Sequence, residues 1–357
     1  MIVNSNSAAA SRNMLRSLGR SVFALILALL TALTASRAYA APVLFAFDPT
    51  LNRLVSFVAT NPGVLLTDGT LSGLQANELI LGIDFRPSDG QLYALSKVAI
   101  NSRLLRIDVN TLAVAQVATV ARTFSETDFF GISFTPDGSV LRVVSTASEN
   151  LIVNADTGVV TTHTGLAYPA GPEFGTVNNT VHIAYTNRVP GALATTLYGI
   201  DRINDRLTRI GGAGTGLTSA ATGVLSNIGP LNAGNVTGYG GFDIEPGTNN
   251  AYAILRVGSA SRLYRVSLET GATQDIGAIG TDNGTYDGLA IAPPENCLDV
   301  DGNGGVEATK DGVMMLRAML GITGTAVHEG LLSRNSSRRD WAEIRKHLNG
   351  CGGNFAP

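Results

Sequence analysis

Gly82-Ile83-Asp84-Phe85-Arg86-Pro87 opens a unit that continues, after a turn, as Leu92-Tyr93-Ala94-Leu95 and then Leu104-Leu105-Arg106-Ile107-Asp108. A turn at Asn110-Thr111 and an apolar run over 113–120 complete it. The runs are short, rich in β-branched and aromatic residues, and bounded by Asp, Asn, Gly and Pro, the pattern of strands separated by tight turns. The phrase returns as Gly131-Ile132-Ser133-Phe134-Thr135-Pro136, followed by Leu141-Arg142-Val143-Val144, Leu151-Ile152-Val153 and the turn Asp156-Thr157-Gly158. It returns again as Gly241-Phe242-Asp243-Ile244-Glu245-Pro246, with Ala251-Tyr252-Ala253-Ile254, Leu263-Tyr264-Arg265-Val266 and Glu269-Thr270-Gly271. A weaker copy runs through 181–185, Leu197-Tyr198-Gly199-Ile200-Asp201 and 207–210.

Copies about 45–65 residues apart, each of four strands, predict an all-β propeller. One sheet cannot bury both faces alone, whereas blades packed around an axis can, and a ring leaves few free edges. Gly288-Leu289-Ala290-Ile291-Ala292-Pro293 is an opening phrase with no blade after it, and 43–57 is a blade without its opening strand. Joining the two closes a ring of about five blades. The Gly-rich stretch 211–238 leaves room for a sixth, and a β-sandwich or β-helix is the architectural alternative.

The spacing itself resembles a known family. The string from Gly82 to Pro87 with Gln91-Leu92-Tyr93, then Arg142-Val143-Val144-Ser145 with Glu149-Asn150-Leu151 and Asp156-Thr157-Gly158, then Ala184-Tyr185-Thr186-Asn187 with Thr196-Leu197-Tyr198-Gly199-Ile200-Asp201, is similar to the bacterial DUF4394 family. The resemblance covers nearly all of residues 43–292 and implies a secreted, propeller-like domain (41–294 here) without a known activity.

Residues 1–40 read as a signal peptide. Arg12, Arg16 and Arg20 form a positive start, 22–33 is apolar, and Ala38-Tyr39-Ala40 supplies a small-x-small cleavage site. The apolar run is short for a membrane span, so the expectation is a secreted or periplasmic protein cleaved at about Ala40, with no span afterwards. Cleavage removes four of the 25 basic residues (Arg12, Arg16, Arg20, Arg37), leaving 21 against 28 acids, a net charge of −7. Such a surface argues against nucleic acid, which needs clustered Lys and Arg. Cys297 and Cys351 bracket one segment, and in an oxidising compartment they read as a disulfide. That bridge stabilises by about 4 kcal/mol in the chain-entropy model.

Within 295–357 the sharpest motif is Asp299-Val300-Asp301-Gly302-Asn303-Gly304-Gly305-Val306-Glu307. Asp299, Asp301 and Asn303 fall at positions 1, 3 and 5 of an EF-hand loop, Gly304 at the sharp turn, the Gly305 carbonyl at position 7 and Glu307 at position 9. Hard oxygen ligands at this spacing select calcium. Position 12, which closes an EF loop with a carboxylate, is Lys310; the acid sits one place later, at Asp311. An ammonium cannot ligate calcium, so Asp311 must reach in. The stretch 297–321 resembles a dockerin-type calcium repeat. Val313, Leu316, Arg317 and Leu320 predict the face of a first helix, and Trp341, Ile344, Arg345 and Leu348 that of a second over 338–348. The loop before the second helix has only Glu329 as an acid and reads as vestigial.

His163, His182, His328 and His347 form no metal-type pair, and no nucleophile elbow, Walker loop or dinucleotide fingerprint occurs. Asp84, Asp108, Asp201 and Asp243 invite a glycosidase reading, but acids recurring at equivalent places in each blade read as structural. Arg86 and Arg142 line a channel or pair with a neighbouring blade's carboxylate. The sequence favours a non-catalytic binding or scaffold protein with an extracellular protein or glycan as partner. The alternatives are a polysaccharide-active hydrolase or lyase, favoured only by the dockerin resemblance, and a structural envelope component.

Overall fold

The computed structural model describes residues 41–357, apart from 190–191, 193, 213–218, 282–283, 294–297, 304–305, 334–335, 337, 351–353 and 356–357. The expected leader, the Gly304 and Gly305 positions and both cysteines of the expected disulfide therefore lie outside the described residues.

Twenty strands form five four-stranded antiparallel sheets. Blade 1 holds β1 (Val43–Asp48), β2 (Arg53–Val58) and β3 (Asn61–Thr70). Blade 2 holds β4 (Leu79–Phe85), β5 (Leu92–Val98), β6 (Asn101–Ile107) and β7 (Val114–Val120). Blade 3 holds β8 (Phe130–Phe134), β9 (Val140–Ser145), β10 (Asn150–Asn154) and β11 (Val160–Thr162). Blade 4 holds β12 (Thr180–Tyr185), β13 (Leu197–Asp201), β14 (Arg206–Ile210) and β15 (Leu225–Pro230). Blade 5 holds β16 (Val236–Ile244), β17 (Ala251–Val257), β18 (Ala260–Val266) and β19 (Thr273–Ala278). The last strand, β20 (Leu289–Ile291), returns to blade 1 as its innermost strand, pairing Leu44 with Ile291 and Ala46 with Leu289.

The ring therefore closes by strand exchange between the two ends of the domain, as the orphan phrase at Gly288 requires. The described residues of the Gly-rich stretch form no sixth blade; they lead into β15, the outermost strand of blade 4.

The inner strands β20, β4, β8, β12 and β16 neighbour one another in a closed cycle. One apolar cluster fills each blade interface, for example Tyr93, Leu95 and Leu104 against Phe134, Leu141 and Leu151. Both faces of an inner strand are thus covered, and β8 and β12 are buried at every residue. Outer strands alternate instead: β7 buries Ala118 and Val120 and turns Ala115, Gln116 and Thr119 outward. This is why the opening phrases read as unbroken apolar runs and the closing strands are weaker signals.

Three helices follow: α1 (Asp311–Met319), α2 (Thr325–His328) and α3 (Trp341–Gly350). Val300, Met314, Ala318, Val327, Ile344 and Leu348 form their small core. The second helix begins at Trp341 rather than at 338, because Asp340 caps it, accepting a hydrogen bond from the Glu343 amide at 2.9 Å. The first helix buries Met314 and Ala318, while Leu316 and Leu320 stand 54% and 71% exposed, so the expected face is corrected by nearly half a turn of the helix. The reason is Asp311: its carboxylate turns into the preceding loop and fixes which residues, three and seven places later, face inward.

At the axis the inner strands meet backbone to backbone. A Cβ at Gly131 would lie 2.4 Å from the His182 amide nitrogen, and one at Gly241 would lie 2.4 Å from that of Leu289. Gly131→Ala is expected to lower the unfolding free energy by about 1–3 kcal/mol in urea titrations, the range of core overpacking. An unchanged midpoint would show that the strands do not pack this closely.

Candidate functional site

Midway along the axis the described residues leave little space: Gly82, Gly131, Gly241 and Gly288, with Ile83, Ile132, His182, Ile183 and Leu289, line a half-open pocket of about 10 Å³, at the limit for one water. The site therefore has to be sought at the two ends of the axis and in the C-terminal helices.

At the end where the inner strands finish, a salt-bridged cluster seals the axis. Arg188 leaves β12 on a turn that begins with Thr186 and Asn187, Asn187 taking a φ of 50°. The turn is pinned by Thr186 N–H to Thr196 O at 2.9 Å, and by Asn187 N–H to the Asn249 side chain of blade 5 at 2.8 Å. Its guanidinium bonds Asp84 of blade 2 and, at 2.8 Å, Asp243 of blade 5. Asp84 also accepts the Phe134 amide of blade 3 at 2.7 Å, and Asp243 the Ile291 amide of blade 1 at 2.7 Å. One guanidinium thus reaches all five blades. Burial pushes the Asp84 and Asp243 carboxyls up against the pull of Arg188, and between them the two acids raise the Arg188 guanidinium over its own desolvation.

The end where the inner strands begin is built differently. Phe129 and Tyr239 meet edge to face with ring centroids 5.1 Å apart, and the Arg202 guanidinium lies 5.1 Å from the Phe129 centroid. Tyr239 is 37% exposed. His182, at the bulge in β12 with a φ of 47°, donates its Nε2–H to the Gly238 carbonyl at 3.0 Å. Burial lowers its pKa to about 4, with Arg202 adding to the effect, so the ring is neutral. Asp287, before β20, is pushed up to about 8 by burial, against one backbone hydrogen bond from Gly240. Val177 and Ile203 lie exposed beside Arg202, joined by Asn204 Nδ2 donating to the Val177 carbonyl at 2.9 Å.

In the C-terminal helices, Asp299, Asp301 and Asp311 gather carboxylate oxygens within 4.8 Å of one another, and all three are buried. Asp311, at the first residue of α1, accepts the amides of Val300 at 2.7 Å, Asp301 at 3.1 Å and Glu307 at 2.8 Å. The acid one place late in the sequence is therefore the one that reaches the loop. Asn303 sits with the trio, its amide N–H shared between Asp299 and Asp301 at 3.1 Å each. Glu307 does not join them; its carboxylate faces Lys310 at 2.7 Å, on the exposed side. Asp301 also accepts Ser336 Oγ–H at 2.6 Å and the Ser333 amide at 3.0 Å. Burial pushes the Asp301 carboxyl up, but these hydrogen bonds outweigh it and hold the group below its ordinary range.

The four recurring aspartates separate into three environments. Asp84 and Asp243 lie at the axis, whereas Asp108 caps a turn through the Asn110 amide and Asp201 accepts from Tyr168 at 2.8 Å, so their places are not equivalent. Arg86 pairs with Asp156 of the next blade at 2.8 Å, as expected. Arg142 is buried and bonds Tyr185 and Asn150, with no carboxylate partner among the described residues. Sequence reasoning passed over Arg188, Arg202, Tyr239 and Ser336, each of which stands outside the repeated phrase.

These features define a closed five-bladed propeller, sealed at one axial end by a charged clasp and followed by an acid-bearing helical segment. The chain belongs to the DUF4394 family: a family profile described as a domain of unknown function matches residues 53–290. No curated protein matches the sequence. Among solved structures, a chain of a nidogen/laminin complex is similar at TM-score 0.43 and 13% identity over 71% of this chain and 99% of that one. A luciferin-regenerating enzyme gives TM-score 0.42 and 14% identity over 73% of this chain and 79% of that one. The PQQ-bound aldose sugar dehydrogenase from Streptomyces coelicolor gives 0.37 and 17% over 70% and 82%. Such distant likenesses carry no inference about activity.

Two substitutions test the geometry. Asp311→Ala orphans two buried amides and one part-buried amide and is expected to cost about 2–3 kcal/mol of unfolding free energy, whereas Glu307→Ala stays within about 1 kcal/mol, measured by helical circular dichroism on heating. His182 charges in the unfolded chain near its ordinary value but only near 4 in the fold, so stability is lost as pH falls through that window. Asn tolerates the left-handed backbone at this position, and His182→Asn is expected to flatten that acid limb in urea titrations.

Proposed function

We propose that this chain is a secreted, non-catalytic binding or scaffold protein whose C-terminal segment is stabilised by one calcium ion. The observation that carries the first part is the locking of the axial acids. Asp84 and Asp243 converge on the axis as a polysaccharide-active enzyme's carboxylates would, but both are buried, bonded to Arg188 and to backbone amides, and closed to solvent. Paired glycosidase carboxylates need an approach for sugar and water, and side chains at most 3% exposed among the described residues do not offer one. The opposite end offers the surface instead: the Phe129–Tyr239 pair under Arg202, continued by Val177 and Ile203, suits recognition of an extracellular protein or glycan.

The calcium reading rests on the gathered trio. Three carboxylates with oxygens within 4.8 Å, taken out of water, repel one another unless a cation or protons intervene. The donors are hard oxygens, which fits calcium. Asp299, Asp301, Asn303 and Asp311 would hold the ion; Glu307 would have to leave Lys310 to join. Bound there, calcium would supply charge neutralisation and rigidity between the loop and α1.

The test is calorimetric titration of residues 41–357 with calcium, beside an Asp299→Ala/Asp301→Ala control and a reducing-sugar assay on polysaccharides. About one ion bound and lost in the control, with no reducing ends released, is the expected result. No heat at millimolar calcium would remove the metal site. Hydrolysis abolished by Asp84→Asn or Asp243→Asn would replace the binding reading with an enzyme.

A further inference from the structure

The finishing end of the axis holds two carboxylates and one guanidinium whose side chains are at most 3% exposed. The guanidinium balances one carboxylate. Among the described residues no second cation pairs with either carboxylate, and an unbalanced charge in a low-dielectric interior is costlier than a retained proton. Asp84 and Asp243 bond the same guanidinium, so the charge of either raises the cost of ionising the other.

We propose that Asp84 and Asp243, coupled through Arg188, retain one proton between them, and that this proton holds Arg188 in the end of the axis. With the proton present the cluster is neutral: one carboxylate, one carboxyl and one guanidinium. Without it the cluster carries a net negative charge on side chains at most 3% exposed. Arg188 is the member that can withdraw, because it is carried on the turn after β12, whereas Asp84 and Asp243 are fixed in β4 and β16. Burial pushes both carboxyls upward, and Arg188 only partly offsets it, which agrees with a proton retained above the ordinary carboxylate range.

The other titratable groups on elements packed against the cluster have partners of their own. Tyr185 bonds Arg142 at 2.6 Å, Glu245 bonds the Asn250 amide at 2.8 Å, and His182 lies toward the other end on Gly238. Asp287, also toward the other end, is a further carboxyl that burial pushes up, to about 8.

The sign follows from linkage. The folded chain holds a proton that the unfolded chain has already released, so stability is highest in the ordinary carboxylate range and falls as pH rises through the raised one. His182 acts in the opposite direction and only below its ordinary value, so alkaline measurements separate the two.

The experiment is urea unfolding of residues 41–357 from about pH 6.5 to about pH 9, in an Asp287→Asn background that removes the competing carboxyl. The unfolding constant is expected to rise by up to about tenfold per pH unit while the shared proton titrates. Adding Asp243→Asn should abolish that rise. If the double variant unfolds, infrared spectroscopy of the Asp287→Asn protein is the second reading: a protonated-carboxyl C=O band should persist at near-neutral pH and vanish on alkalinisation. Faster amide exchange at Thr186, Asn187 and Thr196, beyond its intrinsic pH dependence, should accompany the loss. A pH slope unchanged by Asp243→Asn, or no carboxyl band at near-neutral pH, would overturn the proposal.

Discussion

Five sheets arranged about an axis crowd their inner strands together, and at the closest points the backbones leave no room for side chains. Glycines at Gly131 and Gly241 solve the steric problem and, by the same act, remove the apolar contacts that a core would supply. The Arg188 guanidinium fills that deficit at one end. Through Asp84 and Asp243 it is bonded to blades 2, 4 and 5, and through the amides those acids accept it reaches blades 3 and 1. A buried ion pair is a costly way to gain stability, and its better-attested use is specification: breaking one side strands a charge, so the arrangement tolerates one geometry. Each of the five apolar interfaces tells a blade which neighbour to pack on. The clasp spans the ring as a whole.

The ring was legible because its information repeats. The opening phrase occurs with the same residue types at Gly82, Gly131, Gly241 and Gly288, and the incomplete copy at each end of the domain forced the closure that pairs β20 with β1. Blade 4 was the weak copy because a bulge between Val181 and Ile183 breaks its phase and because its outer strand, β15, follows a long Gly-rich passage. The axial site was illegible for the complementary reason. Arg188 lies in one loop of one blade, and its partners are 104 and 55 residues away, so no local pattern marks it. Asp84 and Asp243 were visible as repeated acids, but grouping them with Asp108 and Asp201 hid that only two of the four face the axis.

The C-terminal segment shows the reverse balance. That Asp299, Asp301 and Asp311 come together was legible from their spacing, whereas Glu307, chosen on the same spacing, faces Lys310 instead. What spacing could not give was the use of the acid-poor loop before α3. Ser333 and Ser336 donate to Asp301, and Arg338 donates to the carbonyl of Val300 at 3.0 Å and its amide to that of Asp301 at 2.9 Å. The acid-poor loop before α3 braces the acid-bearing loop before α1. The helix face was misassigned on the same account: apolar periodicity at Leu316 and Leu320 is real, but the inward turn of Asp311 decides which stripe is buried.

The route by which the two parts are joined has a mechanical consequence. The strand that closes the ring is three residues long, pairs with β1 alone, and is the last element before the C-terminal helices. Tension applied through those helices enters the propeller at the end of β20, where the Ala292 amide bonds the Val43 carbonyl at 2.9 Å, and acts on the shortest inner seam of the five. Ile291 is the residue whose amide Asp243 accepts, so a pull that peels β20 from blade 1 also draws on the charged cluster. The tether and the lock of this ring are the same few atoms, and a force on the tail is felt first where the circle was tied.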